Sequence, residues 1–331
     1  MRRLSFALLL LCCFYACKND QQEQVPETSY AGLSPQQALN SFQLPEGLKI
    51  ELVASEPMIS DPVAMEVDEH GNMYVLELHG YPLDTSGTGK IKLLSDTNGD
   101  GIPDKSTLFA DHLRLPTGLM RWKKGLIVVD VPEVLYLEDS DNDGKADIKK
   151  TMLTGIALTN PQHIANTPIF GLDNWIYLAH MGVVTPKVSM MFIDSGNLVR
   201  YVDDPKAKTL PRNADGRNIR FKPDSRDLEM LSGESQYGQS FDNWGHHFCV
   251  ENADHIFHEV IAAKYLGRNP DLLVADASDY ISDHGDACEV YPITHNPENQ
   301  LLTDRGVITS ACGITYYNGG LLPDNFNNVT L

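Results

Sequence analysis

Two short acidic stretches carry the most explicit chemistry in this sequence: DTNGDGIPD at residues 96–104 and DSDNDGKAD at residues 139–147. Both follow Asp-x-Asp/Asn-x-Asp-Gly-x-x-Asp, which sets side-chain oxygens at alternate positions and a glycine where the chain must turn sharply. The first stretch offers Asp96, Asn98, Asp100 and Asp104, with the Ile102 carbonyl completing the set. The second offers Asp139, Asp141, Asp143 and Asp147, with the Lys145 carbonyl. Hard oxygen donors on a flexible loop suit Ca²⁺. Neither stretch is an EF-hand, because the twelfth-position Glu is missing and no helix pair flanks it. Four like charges in one loop repel without a cation, so the expected role of the ion is structural. The other reading is a pair of acidic Asp-Gly turns without an ion.

Short β-rich runs must position these loops. KIELVA, NMYVLEL, KIKLLS, GLIVVDV, VLYLED, NWIYLAH and NLVRYV are bounded by Gly, Asp, Asn and Pro, while helical periodicity is confined to SPQQALNSF near residue 34 and HEVIAAKYLGR near residue 258. KLLSDTNGDGIPDKSTLFADHL and LYLEDSDNDGKADIKKTMLTGI match nearly position for position, with Asp96 and Asp139 about 43 residues apart. Similar units recur as NPQHIANTPIFGLDNWIYLAH, YGQSFDNWGHHFCVEN and SACGITYYNGGLLP. A period of roughly 40 to 50 residues with four strands per unit predicts an all-β fold, a β-propeller of the six-bladed type. About five blades are legible over residues 42–331, and the last run, FNNVTL, stops inside a strand-like stretch. The expectation is therefore a fragment of a longer propeller.

Ligands of propellers sit where loops lead into each blade's innermost strand. PTGLMR, NPQHIAN, SQYGQSFD and SACGIT hold that position, placing Arg121, Asn160, Gln162, His163, Asn166, Gln236 and Cys312 around one mouth. His163 is the candidate base; the other polar groups are candidates for binding substrate or cofactor. The competing reading is that these groups cap blade edges and hydrogen-bond backbone. The cluster GHHFCVENADHIFH (His246, His247, His255, His258) follows no zinc spacing, which favours a surface or supporting role over metal ligation. His255 and His258 flank the start of the second helical candidate.

The N-terminus places the protein in the cell. MRRLSFALLLLCCFYAC has two arginines, an apolar run of about ten residues and a terminal cysteine, the layout of an export signal. The run is too short for a permanent membrane span. FYAC resembles a bacterial lipoprotein cleavage box, so Cys17 is expected to become the lipidated first residue, anchored in the cell envelope; simple secretion is the alternative. Residues 18–41 read as a flexible tether. A net charge of −19 argues against nucleic acid as a partner. Of six cysteines, Cys249, Cys288 and Cys312 lie in the body, enough for one disulfide with one thiol left over. NVT at residues 328–330 matches a glycosylation acceptor by chance.

Taken together, PTGL at 116, LEDSDNDGKAD, NPQHIAN, GLDNWIY, FDNWGHHF and SACGITYYNGGLLP resemble the glucose/sorbosone dehydrogenase β-propellers that use pyrroloquinoline quinone (PQQ), in particular their membrane-bound dehydrogenase branch. In that family a catalytic histidine stands eight residues before a Gly-x-Asp turn leading into an Ile-Tyr strand. His163 stands so before Gly171, with Asp173, Ile176 and Tyr177 in register. The resemblance implies a sugar or alcohol dehydrogenase in which His163 takes the hydroxyl proton, hydride passes to PQQ, and electrons move on to a haem c domain or cytochrome. The family's acidic partner falls near Gly182, and its cofactor-binding Arg-Asn pair falls at Glu234 and Ser235. Two other readings stand beside this one: a non-catalytic propeller binding carbohydrate or protein, and a Ca²⁺-dependent hydrolase or lactonase.

Overall fold

A computed structural model of the chain describes residues 32–330, apart from 83, 159, 183–195, 270, 272–273, 275, 282–307 and 309. The export signal with Cys17, and Cys288, lie outside the described residues. The chain divides into two units, Met1–Leu44 with Ile50–Leu52, and Pro45–Lys49 with Val53–Leu331. In the smaller unit the sequence predicts a helix near residue 34, and one is found at Pro35–Ser41. Ser34 caps it reciprocally: its hydroxyl accepts from the Gln37 amide, and the Gln37 side chain accepts from the Ser34 amide.

The larger unit is built of antiparallel sheets. β1 (Pro62–Val67), β2 (Met73–Glu77), β3 (Gly89–Ser95) and β4 (Lys105–Leu113) hydrogen-bond in chain order. β5 (Pro116–Trp122), β6 (Gly125–Asp130), β7 (Glu133–Glu138) and β8 (Ile148–Thr154) repeat the arrangement. The Asp-rich stretches form the β3–β4 and β7–β8 turns, the same place in successive blades. A third sheet contains β9 (Asn166–Phe170), β10 (Ile176–Ala179), β13 (Ile219–Lys222) and β14 (Asp227–Met230). A fourth contains β15 (Gln239–Phe241), β16 (His247–Glu251), β17 (Asp254–Glu259) and β18 (Ser278–Tyr280), and a hairpin follows, β19 (Tyr316–Tyr317) with β20 (Val329–Thr330). First strands pack in succession, β1 on β5, β5 on β9 and β9 on β15. This is propeller architecture: four-stranded blades ranked about their inner strands.

Period-2 burial explains why the second blade reads as a continuous apolar run. Every residue of β6 is buried. Leu126 and Val128 face Leu76, Ile91 and Phe109 of the first blade, while Ile127 and Val129 face Ile176, Ile219 and Phe221 of the third. A strand covered on both faces has no polar side to show. Each of these side chains contributes about 1.5–3 kcal/mol on leaving water, so the two seams between blades dominate the stability of this unit. Close approach also dictates Gly118 in PTGL: a Cβ there would lie 2.7 Å from the Thr167 amide and from Pro168 Cδ, where β5 meets β9.

Two sequence expectations need correction, and one strand takes a neighbour from another blade. NLVRYV forms β11 (Leu198–Tyr201), which with β12 (Leu210–Arg212) extends the second sheet beyond β8. Burial of Val199, Tyr201 and Leu210 between the second and third blades drives this, and the hairpin covers the β8 edge. KIELVA forms no strand, and Ile50, Leu52 and Val53 are exposed. HEVIAAKYLGR is helical only over Ala263–Leu266, because His258 and Glu259 remain in β17, paired with Asp279 and Ser278.

Candidate functional site

The loops entering the inner strands enclose a cleft of about 360 Å³. Val63 and Thr117, at the starts of β1 and β5, form one side. Tyr81, Pro161 and Gln162 form the rim, and Gln236, Tyr237, Asn252 and Ser310–Cys312 close the other side. Tyr237 ties three segments together, its hydroxyl lying within bonding distance of the Val63 carbonyl at 3.3 Å and the Thr117 carbonyl at 3.1 Å. Burial, and then the neighbouring Cys312, push the Tyr237 hydroxyl up to about 12, so it stays a neutral donor. Thr117 Oγ1 donates to the Ala165 carbonyl at 2.6 Å. At the rim, Gln162 Nε2 donates to Tyr81 Oη at 2.9 Å. One polar atom in this wall is unspent: Gln236 is only 8% exposed, yet its Oε1 has no hydrogen-bond partner.

The other predicted residues distribute unevenly around the cleft. Cys312 lines it and is an exposed free thiol; Cys249, also free, is buried in β16. Asn160 and His163 sit in the turn that presents Gln162. Asn160 Oδ1 accepts from the Gln162 amide at 3.1 Å, and its carbonyl accepts from the His163 amide at 2.8 Å. His163 is half-buried, and burial holds its ionisation below the usual 6.5. Asn166 is fully buried and spent on structure: its amide group donates to the Ile164 and Gln236 carbonyls, and its oxygen accepts from the Gly238 amide and the Thr167 hydroxyl. It fixes the wall that holds Gln236. Arg121 is elsewhere. It closes β5 at the end opposite Thr117, some 13 Å away along an extended strand. There its guanidinium pairs with Glu69 and donates to the Lys124 and Gly125 carbonyls. Sequence proximity to PTGL suggested the mouth; strand direction carries the side chain away from it.

Behind this wall lie groups to which the sequence assigned no role. His180 is completely buried at the end of β10, with Nε2 bonded to Asn213 Oδ1 at 3.1 Å and Nδ1 unpartnered. Burial pushes it down to about 4, so it is neutral. Asn213, Ala214 and Asp215 all adopt left-handed backbone, with φ of 50°, 47° and 49°. A residue type other than glycine costs about 1–2 kcal/mol there. The return is that Asn213 can serve His180, the Ala157 amide and the Gly182 carbonyl at once. Close by, burial and the carboxylates of Asp254, Glu234 and Asp276 push Glu251 up to about 7. The signals in the sequence were His180, beside the place of the resembling family's acidic partner near Gly182, and the acidic residue at 234, where that family has arginine.

The two Asp-rich turns differ in geometry. Among the described residues, the carboxylate oxygens of Asp139, Asp141 and Asp147 lie within 4.8 Å of one another, a spacing that can hold a metal ion. Asp143 turns its oxygen to the Lys145 amide at 2.8 Å. In the first turn, Asp96 accepts from the amides of Asn98, Gly99 and Gly101, and Asn98 and Asp100 accept from the amides two residues on. Asp104 binds the Thr97 amide and hydroxyl.

A family model, the domain of unknown function DUF7133, matches residues 34–331. The chain belongs to the DUF7133 family. No curated protein matches it. Among solved structures, this DUF7133 chain is similar to the PQQ-bound aldose sugar dehydrogenase of Streptomyces coelicolor, with 12% identity and a TM-score of 0.41 over 64% of this chain and 62% of that one. It is also similar to a candidate oxidoreductase (glucose dehydrogenase) of Thermus thermophilus, with 15% identity and a TM-score of 0.38 over 61% of each chain. The chain thus spans less than two thirds of the length of either, and likeness of this degree carries no argument about activity.

Proposed function

We propose that the central cleft binds a sugar or alcohol, and that this chain is the substrate-recognising propeller of a dehydrogenase. The observation that carries the reading is the unpartnered Gln236 oxygen in an uncharged wall, beside the Gln162–Tyr81 pair. A buried acceptor without a donor costs about 1–3 kcal/mol, and a ligand hydroxyl relieves it. The half-exposed Tyr81 ring offers an apolar face to a sugar. His163, held neutral by burial in the adjoining turn, is the base for the hydroxyl proton.

PQQ does not fit the described lining. Its carboxylates call for guanidinium or ammonium donors, and the cleft presents only neutral groups, with Glu234 and Ser235 at the resembling family's Arg-Asn positions. No hydride step is therefore derived. The same feature favours a second reading, a carbohydrate-binding propeller without catalysis. In either reading the Asp-rich turns hold structural Ca²⁺, with Asp139, Asp141 and Asp147 the better-formed set. Cys17 carries the lipid anchor in the bacterial envelope, and a haem c domain or cytochrome accepts electrons if the chain is catalytic.

The test is sugar binding by calorimetry, paired with dye reduction in the presence of PQQ and Ca²⁺. Gln236→Ala is expected to weaken binding about tenfold, and His163→Ala to slow turnover by about 100-fold or more at unchanged binding. Absence of binding across a panel of sugars and polyols would sink the proposal. Binding without dye reduction would leave only the non-catalytic reading.

A further inference from the structure

The central cleft holds a nucleophile to which sugar binding gives no task. Cys312 is an exposed free thiol in the same wall as Gln236, Tyr237 and Asn252. Its segment is pinned on both sides. The Ser310 amide donates to Asn252 Oδ1 at 3.1 Å, the Ala311 amide to the Asn252 carbonyl at 3.3 Å, and the Gly313 amide to the Tyr237 carbonyl at 3.1 Å. After burial, Cys312 is what raises the Tyr237 hydroxyl. The sulfur therefore stands near the group that reaches the Val63 and Thr117 carbonyls across the cleft.

Two observations set this thiol apart from a bare surface cysteine. The first is Gln236, only 8% exposed, whose Oε1 has no partner and which lines the same cleft. A group tethered to Cys312 that carries an N–H finds there an acceptor with no competing donor. A buried acceptor left unpaired costs about 1–3 kcal/mol, and a tethered donor removes that cost with less loss of freedom than a separate ligand undergoes. The second is that the other described thiol does not pair with it. Cys249 is also free, and it is completely buried in β16, with Asn218 Nδ2 at 3.5 Å and His247 Nε2 at 3.7 Å from its sulfur.

We propose that Cys312 is a modification site for a small thiol of the cysteinyl-peptide class, held as a mixed disulfide whose peptide N–H fills the Gln236 acceptor, and that this adduct shuts the cleft. Only the shutting rests on the cleft being the site of the sugar or alcohol. The oxidant is the disulfide form of the same small thiol; in the envelope proposed above, disulfides persist. The Cys312 sulfur gives up its proton and attacks one sulfur of that disulfide. A new S–S bond forms, the old one breaks, and the released half leaves as a thiolate that takes up the proton. Cys312 is oxidised, the small disulfide is reduced, and excess thiol reverses the exchange. A cleft of about 360 Å³ has room for one such occupant, so adduct and sugar exclude each other.

The experiment equilibrates the purified full chain in glutathione buffers of graded disulfide-to-thiol ratio, quenches with acid and locates adducts by peptide mapping. Glutathione is expected on Cys312, and on Cys249 only after unfolding. Gln236→Leu is expected to need an about tenfold higher ratio for half-modification of Cys312, because the tethered amide loses its acceptor. Sugar binding by calorimetry is expected to vanish in the modified chain, to return with dithiothreitol, and to be indifferent to the glutathione ratio in Cys312→Ser. No adduct on Cys312, recovery of Cys312 in a disulfide with Cys288, or half-modification unmoved by Gln236→Leu would overturn the site. A modified chain that binds sugar as the reduced chain does would overturn the shutting. If neither form binds any sugar, it is the sugar reading of the cleft that falls, and the mapped adduct with its dependence on Gln236 still decides the thiol site.

Discussion

The β3–β4 and β7–β8 turns carry one nine-residue pattern at the same place in successive blades, yet only the second turn is docked. Gly144 lies where an added Cβ would stand 3.4 Å from Thr107 Cγ2 and 3.7 Å from Leu93 Cδ2, on β4 and β3 of the first blade. The Ala146 amide donates to the Phe109 carbonyl at 2.8 Å, crossing the same seam. Gly99 and Gly101 have nothing within 4 Å. The second turn therefore leans on a preceding blade, and its three carboxylates converge. The first projects into solvent, and its Asp96 is spent on three amides of its own loop. A closely similar local code, with Asn98 where the second turn has Asp141, caps both turns on their own amides, Asp96 from Gly99 and Gly101 and Asp139 from Asp143 and Gly144. What separates them is the third-position charge and a neighbour to lean on.

The largest effect that tests this contrast is steric. Gly144 and Gly101 both have positive φ, 87° and 88°. A valine at Gly101 carries the backbone strain alone, about 1–2 kcal/mol. A valine at Gly144 adds a clash with Thr107, for a total of about 3 kcal/mol. Equal losses in urea unfolding would break the docking contrast. Next in size is ion affinity. Calorimetry is expected to show the β7–β8 turn binding Ca²⁺ about tenfold more tightly than the β3–β4 turn, since ligand charge and rigidity set affinity. Asp141→Asn should bring the second turn down to the level of the first, and Asn98→Asp should raise the first; a docked turn indifferent to its third-position charge would contradict this.

The smallest effect is on pH dependence. Amide and hydroxyl donors hold Asp96, Asp104 and Asp147 below the ordinary 3.8. A depressed carboxyl contributes stability that is present above its unfolded value and lost as pH falls through the folded one. Unfolding of the Ca²⁺-free chain should thus be unchanged by these groups between pH 7 and 5, and weaken only below 3.8. A loss already evident at pH 5 would mean that these aspartates are not held as described.

Much of the fold was legible because its determinants are short-range. Alternating and continuous apolar runs marked the two middle strands of each of the first two blades, β2, β3, β6 and β7, and the repeat from Asp96 to Asp139 located equivalent turns. Legibility failed where a segment's partner is distant in sequence. NLVRYV has the pattern of a strand, but nothing in it says that β8 is its neighbour. The run after His258 has helical periodicity, yet pairing with Asp279 and Ser278 keeps its start in the sheet. In the cleft, Gln162 and Gln236 were named from their loops, while Arg121 was placed wrongly because five residues of extended strand turned a nearby position into a remote one.

The sequence by itself determined the strand-and-turn units, the acidic loops with their sharp glycines, and a set of polar residues leading into the inner strands, from which the structure removes Arg121. These follow from backbone preference and side-chain period, which act over a few residues. Only the tertiary structure decided which polar groups are consumed by the scaffold, as Asn166 is, and which remain available, as the Gln236 oxygen does. It also set one Asp-rich turn against a neighbouring blade. The physical reason is the same in each case: a hydrogen bond or a packed contact depends on what the folded chain brings opposite, and that partner is not written beside the residue it serves.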